Sequence, residues 1–530
     1  MKKNVLALSI SAAVCGLGMI GSAYAVTDLG VAASVGLATT LKVNPDGVGH
    51  NLIVPYYTAQ GANATLLTLT NTTNIAKAVK VRFRGAANSD DVRDFQVFLS
   101  PRDVWSAMVS QSATGEAQIV TNDVSCTKPA FTAGTPVKFG TARLDTTLTA
   151  AQQAAGTREG YVEIFNMADL TGALATAVTH VKGVAPCSGA AWTALDTDMT
   201  SAALAGAGLT HPTTGLTANW TIINTTTAAA YGGRAVAIHA LLAGAPASGN
   251  IVYWPQNQSF VNGETRGFTA DPLLAGNLVG APGGAVKVPA IKALNQDLPD
   301  MSTPYVSGLA PVGDYAAIAT YAAGDEWAAV NQAHALTAAL AATSVANDFF
   351  TDSATVTIGA ATDWVFSMPT RRYNVAYNYG TSAREFTDFT KDATGGAGAG
   401  NINYFTVANT AVQSRVVCVD GITPVSYNRE EGTVSTVSFS PSASPVFCGE
   451  TGVWAINVAS PVASGVLEAS VAVRGADATY GEGWMSVATP GLGGGLPVVG
   501  TAFTKAASDA TKNYGVNTDH RVTRAAGYLY

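Results

Sequence analysis

Charged residues make up only 12% of this 530-residue chain, and histidine occurs six times. The histidines, His50, His180, His211, His239, His334 and His520, are scattered, with no His-Glu-x-x-His pair, so a zinc hydrolase has no sequence support. No Gly-x-Ser-x-Gly elbow occurs. The Gly-x-Gly-x-x-Gly of Gly16, Gly18 and Gly21 lies in an export leader, where it cannot be a dinucleotide loop. The GGAGAGN run at 395–401 lacks the Gly-Lys-Ser/Thr ending of a phosphate-cradling loop and reads as a surface loop. With no catalytic constellation, the chain is not read as an enzyme. The net charge of −7 provides no basic face for nucleic acid. Beyond the N-terminus no run of eighteen apolar residues appears, so no membrane-spanning helix is expected.

The first 25 residues have the three parts of a secretory signal: basic Lys2 and Lys3, an apolar stretch from Val5 to Ile20, and the small-x-small site Ala23-Tyr24-Ala25. Ala12, Ala13 and Val14 before Cys15 are a poor lipoprotein signal, so no lipid anchor is expected. Cleavage after Ala25 removes Cys15 and takes the formal charge from −7 to −9, because Lys2 and Lys3 are lost. Four cysteines remain: Cys126, Cys187, Cys418 and Cys448. An even number in an exported chain reads as two disulfides. Three connectivities are open; Cys126–Cys187 and Cys418–Cys448 are favoured because each pair is near in sequence, and each would contribute roughly 4 kcal/mol on the chain-entropy account. Metal binding has less support, for there is no Cys-x-x-Cys.

What the chain does have is alternation, clearest over residues 49–108. Leu67 and Leu69 alternate with Thr68 and Thr70; Val79, Val81 and Phe83 alternate with Lys80, Arg82 and Arg84; Phe95, Val97 and Leu99 form a third run. A period of two sends one side of each strand into a core and the other into water, which predicts an antiparallel sheet with one wet face. Turns are expected at residues 71–74 and 85–91. Three strands cannot bury their apolar face alone, and little helical pattern lies nearby, so the expected fold class is mainly β: antiparallel β-sandwich domains with long loops and a few short helices. Tyr56 and Tyr57, at a strand end, are expected in the core.

The strings PYYTAQGANATLLTLTNTT, KAVKVRFR and NSDDVRDFQVFLSPRDVW resemble secreted cell-surface proteins of betaproteobacteria, among them the surface-layer-like proteins that sheathe the vesicle-filled tubules called nanopods. ATDWVFSMPTRRYNV, residues 361–375, is similar to a later part of the same family. The likeness is dense over residues 49–108 and patchy elsewhere. It implies a location at the cell surface and carries over no catalytic residue.

Along the chain, the expected divisions are a signal peptide at 1–25, an N-terminal sandwich at 26–190, a mixed middle region at 191–350 and a β-rich region at 351–530. Residues 216–227 read as a strand running into a polar turn, and 234–242 as a strand or helix. Residues 325–350, Ala-rich and opening on two acids, suit a helix. Short acidic pairs at Asp90/Asp91, Asp196/Asp198 and Asp297/Asp300 could recruit calcium, although none fits a twelve-residue calcium loop; as solvated turns they need no ligand. No other cofactor is implied.

A large surface with few charges repels its own copies weakly. The reading that fits best is an exported structural protein that self-assembles on the cell surface as a surface-layer or sheath subunit, its partners being its own copies and the outer-membrane exterior or lipopolysaccharide. The alternatives are a secreted adhesin or carbohydrate-binding sandwich, and an outer-membrane barrel suggested by the terminal Tyr528 and Tyr530.

Overall fold

The computed structural model describes residues 36–197, 205–256, 269–274, 291, 295–306, 326–352, 358–387, 404–428, 430–434, 438–440, 444–457, 464–477, 480–490, 495–509 and 512–524. The first 25 residues, expected to be an export signal, the run at 395–401, Asp198 and the terminal tyrosines lie outside the described residues.

The alternating runs become strands β1 (Asn51–Thr58), β2 (Asn63–Asn71), β3 (Ala76–Gly85), β4 (Asp91–Leu99) and β5 (Val104–Gln111). Two more join them, β6 (Glu159–Leu170) and β7 (Leu216–Asn224). One sheet runs Thr40–Asn44, Val236–Leu242, β1, β6, β3, β4, Cys126–Lys128. The facing sheet runs Ala230–Arg234, β7, β2, β5, Ala117–Val120, Val137–Lys138, and the ladders within both are antiparallel. Between them lie Leu67, Leu69, Val79, Val81, Phe83, Phe95, Val97 and Leu99, all the alternating apolar residues, with Trp105 and Trp220. Tyr56 and Tyr57 are buried there too.

The division expected near Ala190 is not observed. β7 pairs with β2 along its whole length, from Leu216↔Asn71 to Asn224↔Asn63, and Val236–Leu242 pairs with β1. A sandwich must close both sheets, and this one takes its closing strands from the stretch expected to be a separate middle region. Residues 234–242, open between helix and strand in sequence, are in strand conformation apart from Ala235.

The second unit is built from β8 (Ser344–Phe350), β9 (Ala361–Ser367), β10 (Thr423–Tyr427), β11 (Thr451–Asn457), β12 (Glu482–Ala488), β13 (Val499–Asp509) and β14 (Lys512–Asp519). A five-stranded sheet runs Thr433–Val434, β10, β12, β8, Arg521–Thr523; a six-stranded sheet runs Ser438–Ser440, Val473–Asp477, β11, β9, β13, β14. Only the β11 to Val473–Asp477 ladder of these is parallel. Trp364, Phe366, Trp454, Met485 and Val487 fill the space between the two sheets. From the other face of the six-stranded sheet, Val365, Val453 and Phe503 enter the core of the first sandwich, where the Phe503 ring lies 5.8 Å from Trp220 and 6.2 Å from Tyr56. Among the described residues each of these four sheets runs as an open path between two terminal strands.

The helix expected over 325–350 covers only Glu326–Leu340. Its Ala329, Val330, Ala333, Leu336 and Leu340 pack on the outer face of the first sandwich. From Ser344 the chain is β8, with Val345, Asn347 and Phe349 inward at period two, a pattern the alanine-rich composition masked.

Both disulfides join the cysteines nearest in sequence, Cys126–Cys187 and Cys418–Cys448. The second links directly opposed residues of Val416–Val419 and Phe447–Cys448. Mass spectrometry of non-reduced digests should find these two cross-links and no free thiol; a thiol at Cys418 or Cys448 would contradict the arrangement. Phe83 is fully buried, with its ring 5.1 Å from Tyr57 and 5.0 Å from Phe139. Phe83→Ala should therefore lower unfolding free energy by about 3–5 kcal/mol in urea titration.

Candidate functional site

The polar face of β3, expected in water, is fully covered: Lys80 and Arg82 are 0% exposed and Arg84 is 2%. Register explains how the charges are met. Arg82 stands opposite Glu163 of β6 on one side and Asp94 of β4 on the other, so the sheet itself lines up acid, base, acid. Arg82 Nε lies 3.0 Å from Asp91 Oδ2, and its Nη1 and Nη2 donate to the carbonyls of Pro299 (2.9 Å) and Gln296 (2.6 Å). Lys80 Nζ donates to Asp94 Oδ2 at 2.7 Å, and to Gln256 Oε1 and the Gln296 carbonyl at 2.8 Å each. Arg84 Nε faces Glu163 Oε1 at 3.3 Å, and its Nη2 donates to Tyr373 Oη at 2.8 Å.

Tyr373 belongs to the second unit, in the turn that follows β9. β9 and that turn together carry the string at 361–375, so the two stretches singled out in sequence meet here. Arg372 reaches Asp271 (2.6 Å), Asp90 (3.0 Å) and the Asn88 carbonyl (2.7 Å), while Arg371 pairs with Glu450 at 2.7 Å. Ser367 Oγ donates to the Pro55 carbonyl at 2.5 Å. A second joint lies at Glu159, which accepts from Gln60 Nε2, Tyr56 Oη and the Ser470 backbone N–H.

The described members of the acidic pairs suggested for calcium are engaged. Asp90 holds Arg372, and Asp91 holds Arg82. Asp196 pairs with Lys128 and Asp297 with Arg143, while Asp300 accepts from Thr269 and Ser302. Among the described residues, no three His, Cys, Asp or Glu side chains gather as a metal site would require. His50 and His239, far apart in sequence, bring their rings to 6.0 Å. His50 is buried, accepting the Ala240 N–H at Nδ1 and facing the Ala247 carbonyl with Nε2, and burial draws it down to about 3, so it is neutral.

Beside the network a cavity of about 430 Å³ is lined by Asp91, Asp94, Arg93, Arg143, Gln256 and Gln296, among others. Its described lining carries no Ser, Thr, Cys or His, and its charged groups are the carboxylates of Asp91 and Asp94 and the guanidinium groups of Arg93 and Arg143. Burial, then the neighbouring Asp94 carboxylate, push Asp91 up to about 7 against the pull of Arg82 and Arg84. Burial draws Lys80 down to about 8, with Asp94 pulling the other way.

One broad sheet face carries exposed rings. On the outer side of the five-stranded sheet, Trp484 stacks on Tyr427 at 4.2 Å and 9°, beside the Arg521–Asp348 ion pair, with Phe350 also exposed.

Sequence reasoning missed the network as a network, although the signal was present: three cations at i, i+2 and i+4 on β3, and three acids, Asp90 in the hairpin turn and Asp91 and Asp94 on the partner strand. No family model, curated protein or solved structure matches the chain.

The raised Asp91 carries a pH signature. A carboxyl held above its ordinary value contributes stability that is present below about pH 4 and lost as pH rises through about 7. Urea unfolding of the native protein and Asp91→Asn should therefore show the native protein's relative stability falling between pH 5 and pH 8, on the order of 2 kcal/mol. A difference independent of pH would mean that Asp91 is ionised throughout.

Proposed function

We propose that the protein is an exported structural subunit that self-assembles on the cell surface, as a surface layer or sheath. The observation that carries this reading is the outer face of the five-stranded sheet, where Trp484 and Phe350 are 40% and 48% exposed. Large rings left in water on a flat sheet favour contact with another surface. Three further features support it. Two disulfides suit an oxidising compartment outside the cytoplasm. The chain's few charges give little repulsion between copies. Buried ion pairs join the two sandwiches, and a subunit of fixed shape is what a repeating array requires. The strings at 49–108 and 361–375 resemble surface-layer-like proteins, consistent with attachment at the outer-membrane exterior, with lipopolysaccharide as the anchoring chemistry.

The stacked Tyr427–Trp484 pair beside Asp348 and Arg521 also suits a second reading, a carbohydrate-binding adhesin, since ring faces take sugar C–H groups and the charges take hydroxyls.

Electron microscopy of intact cells and of a deletion strain separates the two. A lattice subunit should be abundant and leave a periodic texture that disappears in the deletion, and the purified protein should reassemble, tested with and without calcium. An unchanged surface in the deletion, with protein that stays monomeric at high concentration, would reject the lattice and leave the adhesin.

A further inference from the structure

Sheet ends determine where one β-protein can join another. A terminal strand presents a row of unpaired N–H and C=O groups, and natural proteins blunt such edges by keeping them short, charged or covered. Among the described residues of the four large sheets, seven of the eight terminal strands obey this rule, running for only two to five residues. β14 does not. It runs for eight residues at the end of the six-stranded sheet, contains no proline and has no charge between Asn513 and Thr518.

Its two faces differ. Asn513, Gly515 and Asn517 turn toward the first sandwich: Asn513 Nδ2 donates to the Thr227 carbonyl at 3.2 Å, and Asn517 Oδ1 accepts the Gly232 N–H at 2.9 Å. Gly515 packs so closely on Ala230 and Tyr231 that a Cβ there would lie 2.7 Å from the ring. The alternate residues Tyr514 and Val516 point the other way, and they are 69% and 59% exposed. Of the backbone groups from Asn513 to Thr518, the Thr518 carbonyl is taken by Asn347 Nδ2 at 2.8 Å; among the described residues no other bond leaves the hairpin.

We infer that β14 pairs antiparallel with β14 of a second copy of this chain, about a two-fold axis through Gly515. The strand is self-complementary in that register. Tyr514 of each copy falls opposite Val516 of the other, giving two aromatic to β-branched cross-strand pairs on one face, the combination that stabilises neighbouring strands. Asn513 falls opposite Asn517, and glycine meets glycine at the axis. No charged residue lies between Asn513 and Thr518, so the pairing opposes no like charges there. The result extends the six-stranded sheet across the two-fold axis, an isologous contact that uses one patch twice.

This contact rests on the self-assembly reading, and the test separates them. Sedimentation of the full chain across a concentration series should show reversible association of the native protein. Tyr514→Lys/Val516→Lys, which alters exposed side chains only and should leave thermal unfolding unchanged, should weaken it by at least about tenfold. In Tyr514→Cys/Val516→Cys, mild oxidation should give a covalent dimer whose non-reduced peptides join position 514 of one copy to position 516 of the other. A double-lysine variant that associates like the native protein, or cross-links that map elsewhere, would overturn the edge contact and leave self-assembly standing. A native protein that stays monomeric throughout, with no cross-linked dimer, would overturn both.

Discussion

Arg82 lies at the middle of a sheet with Glu163 on one neighbouring strand, Asp94 on the other and Asp91 at its Nε, and its outer nitrogens reach the carbonyls of Gln296 and Pro299. Removing such a cation from water costs several kcal/mol, and the return depends on every partner being in place. This constraint propagates outward. The acids must come from the flanking strands, the carbonyls from residues 296–299, and the phenol that caps Arg84 from the second unit. The segments that cover the first sandwich are therefore held by specific donors and acceptors as well as by the apolar residues around Tyr253, Met301 and Tyr305.

Buried ion pairs are weak sources of net stability, because apolar residues of similar size would often serve as well. Their contribution here is to orientation. An apolar joint tolerates sliding, whereas Arg372 reaches Asp90, Asp271 and the Asn88 carbonyl in only one placement of the turn after β9. Breaking one member leaves an unpaired charge in a region that cannot solvate it. The joint between the two units is thus uniquely specified even though its net energy is modest.

The same physics sets what could be read from the sequence. Alternation reports that the two faces of a strand differ chemically; it does not report that the polar face meets water. Val79, Val81 and Phe83 were legible as core for that reason, while Lys80, Arg82 and Arg84 were misread as solvated because their cover comes from chain far away in sequence. Nearness in sequence favoured the two disulfides among three connectivities. The end of the first unit was not legible, since the strand Leu216–Asn224 carries no local sign that its partner is Asn63–Asn71. In residues 325–350 alanine content outweighed the period-two signal of Val345 and Phe349, and the helix was drawn too long.

A charge-poor chain that places Lys77, Lys80, Arg82, Arg84, Arg371 and Arg372 with their acids inside has fewer still to display outside. Solubility by mutual repulsion is correspondingly weak, and protection against wrong contacts then depends on shape, above all on sheet edges. Most edges here are short, and the interior joint holds them at fixed angles to one another. A strand pairing on the exposed edge of β14 would make a contact of defined direction rather than a general adhesive one, because edge pairing fixes register and orientation through backbone hydrogen bonds while the neutral surround permits close approach. The ions inside and the open strand outside are therefore connected: the first hold the geometry in which the second is presented.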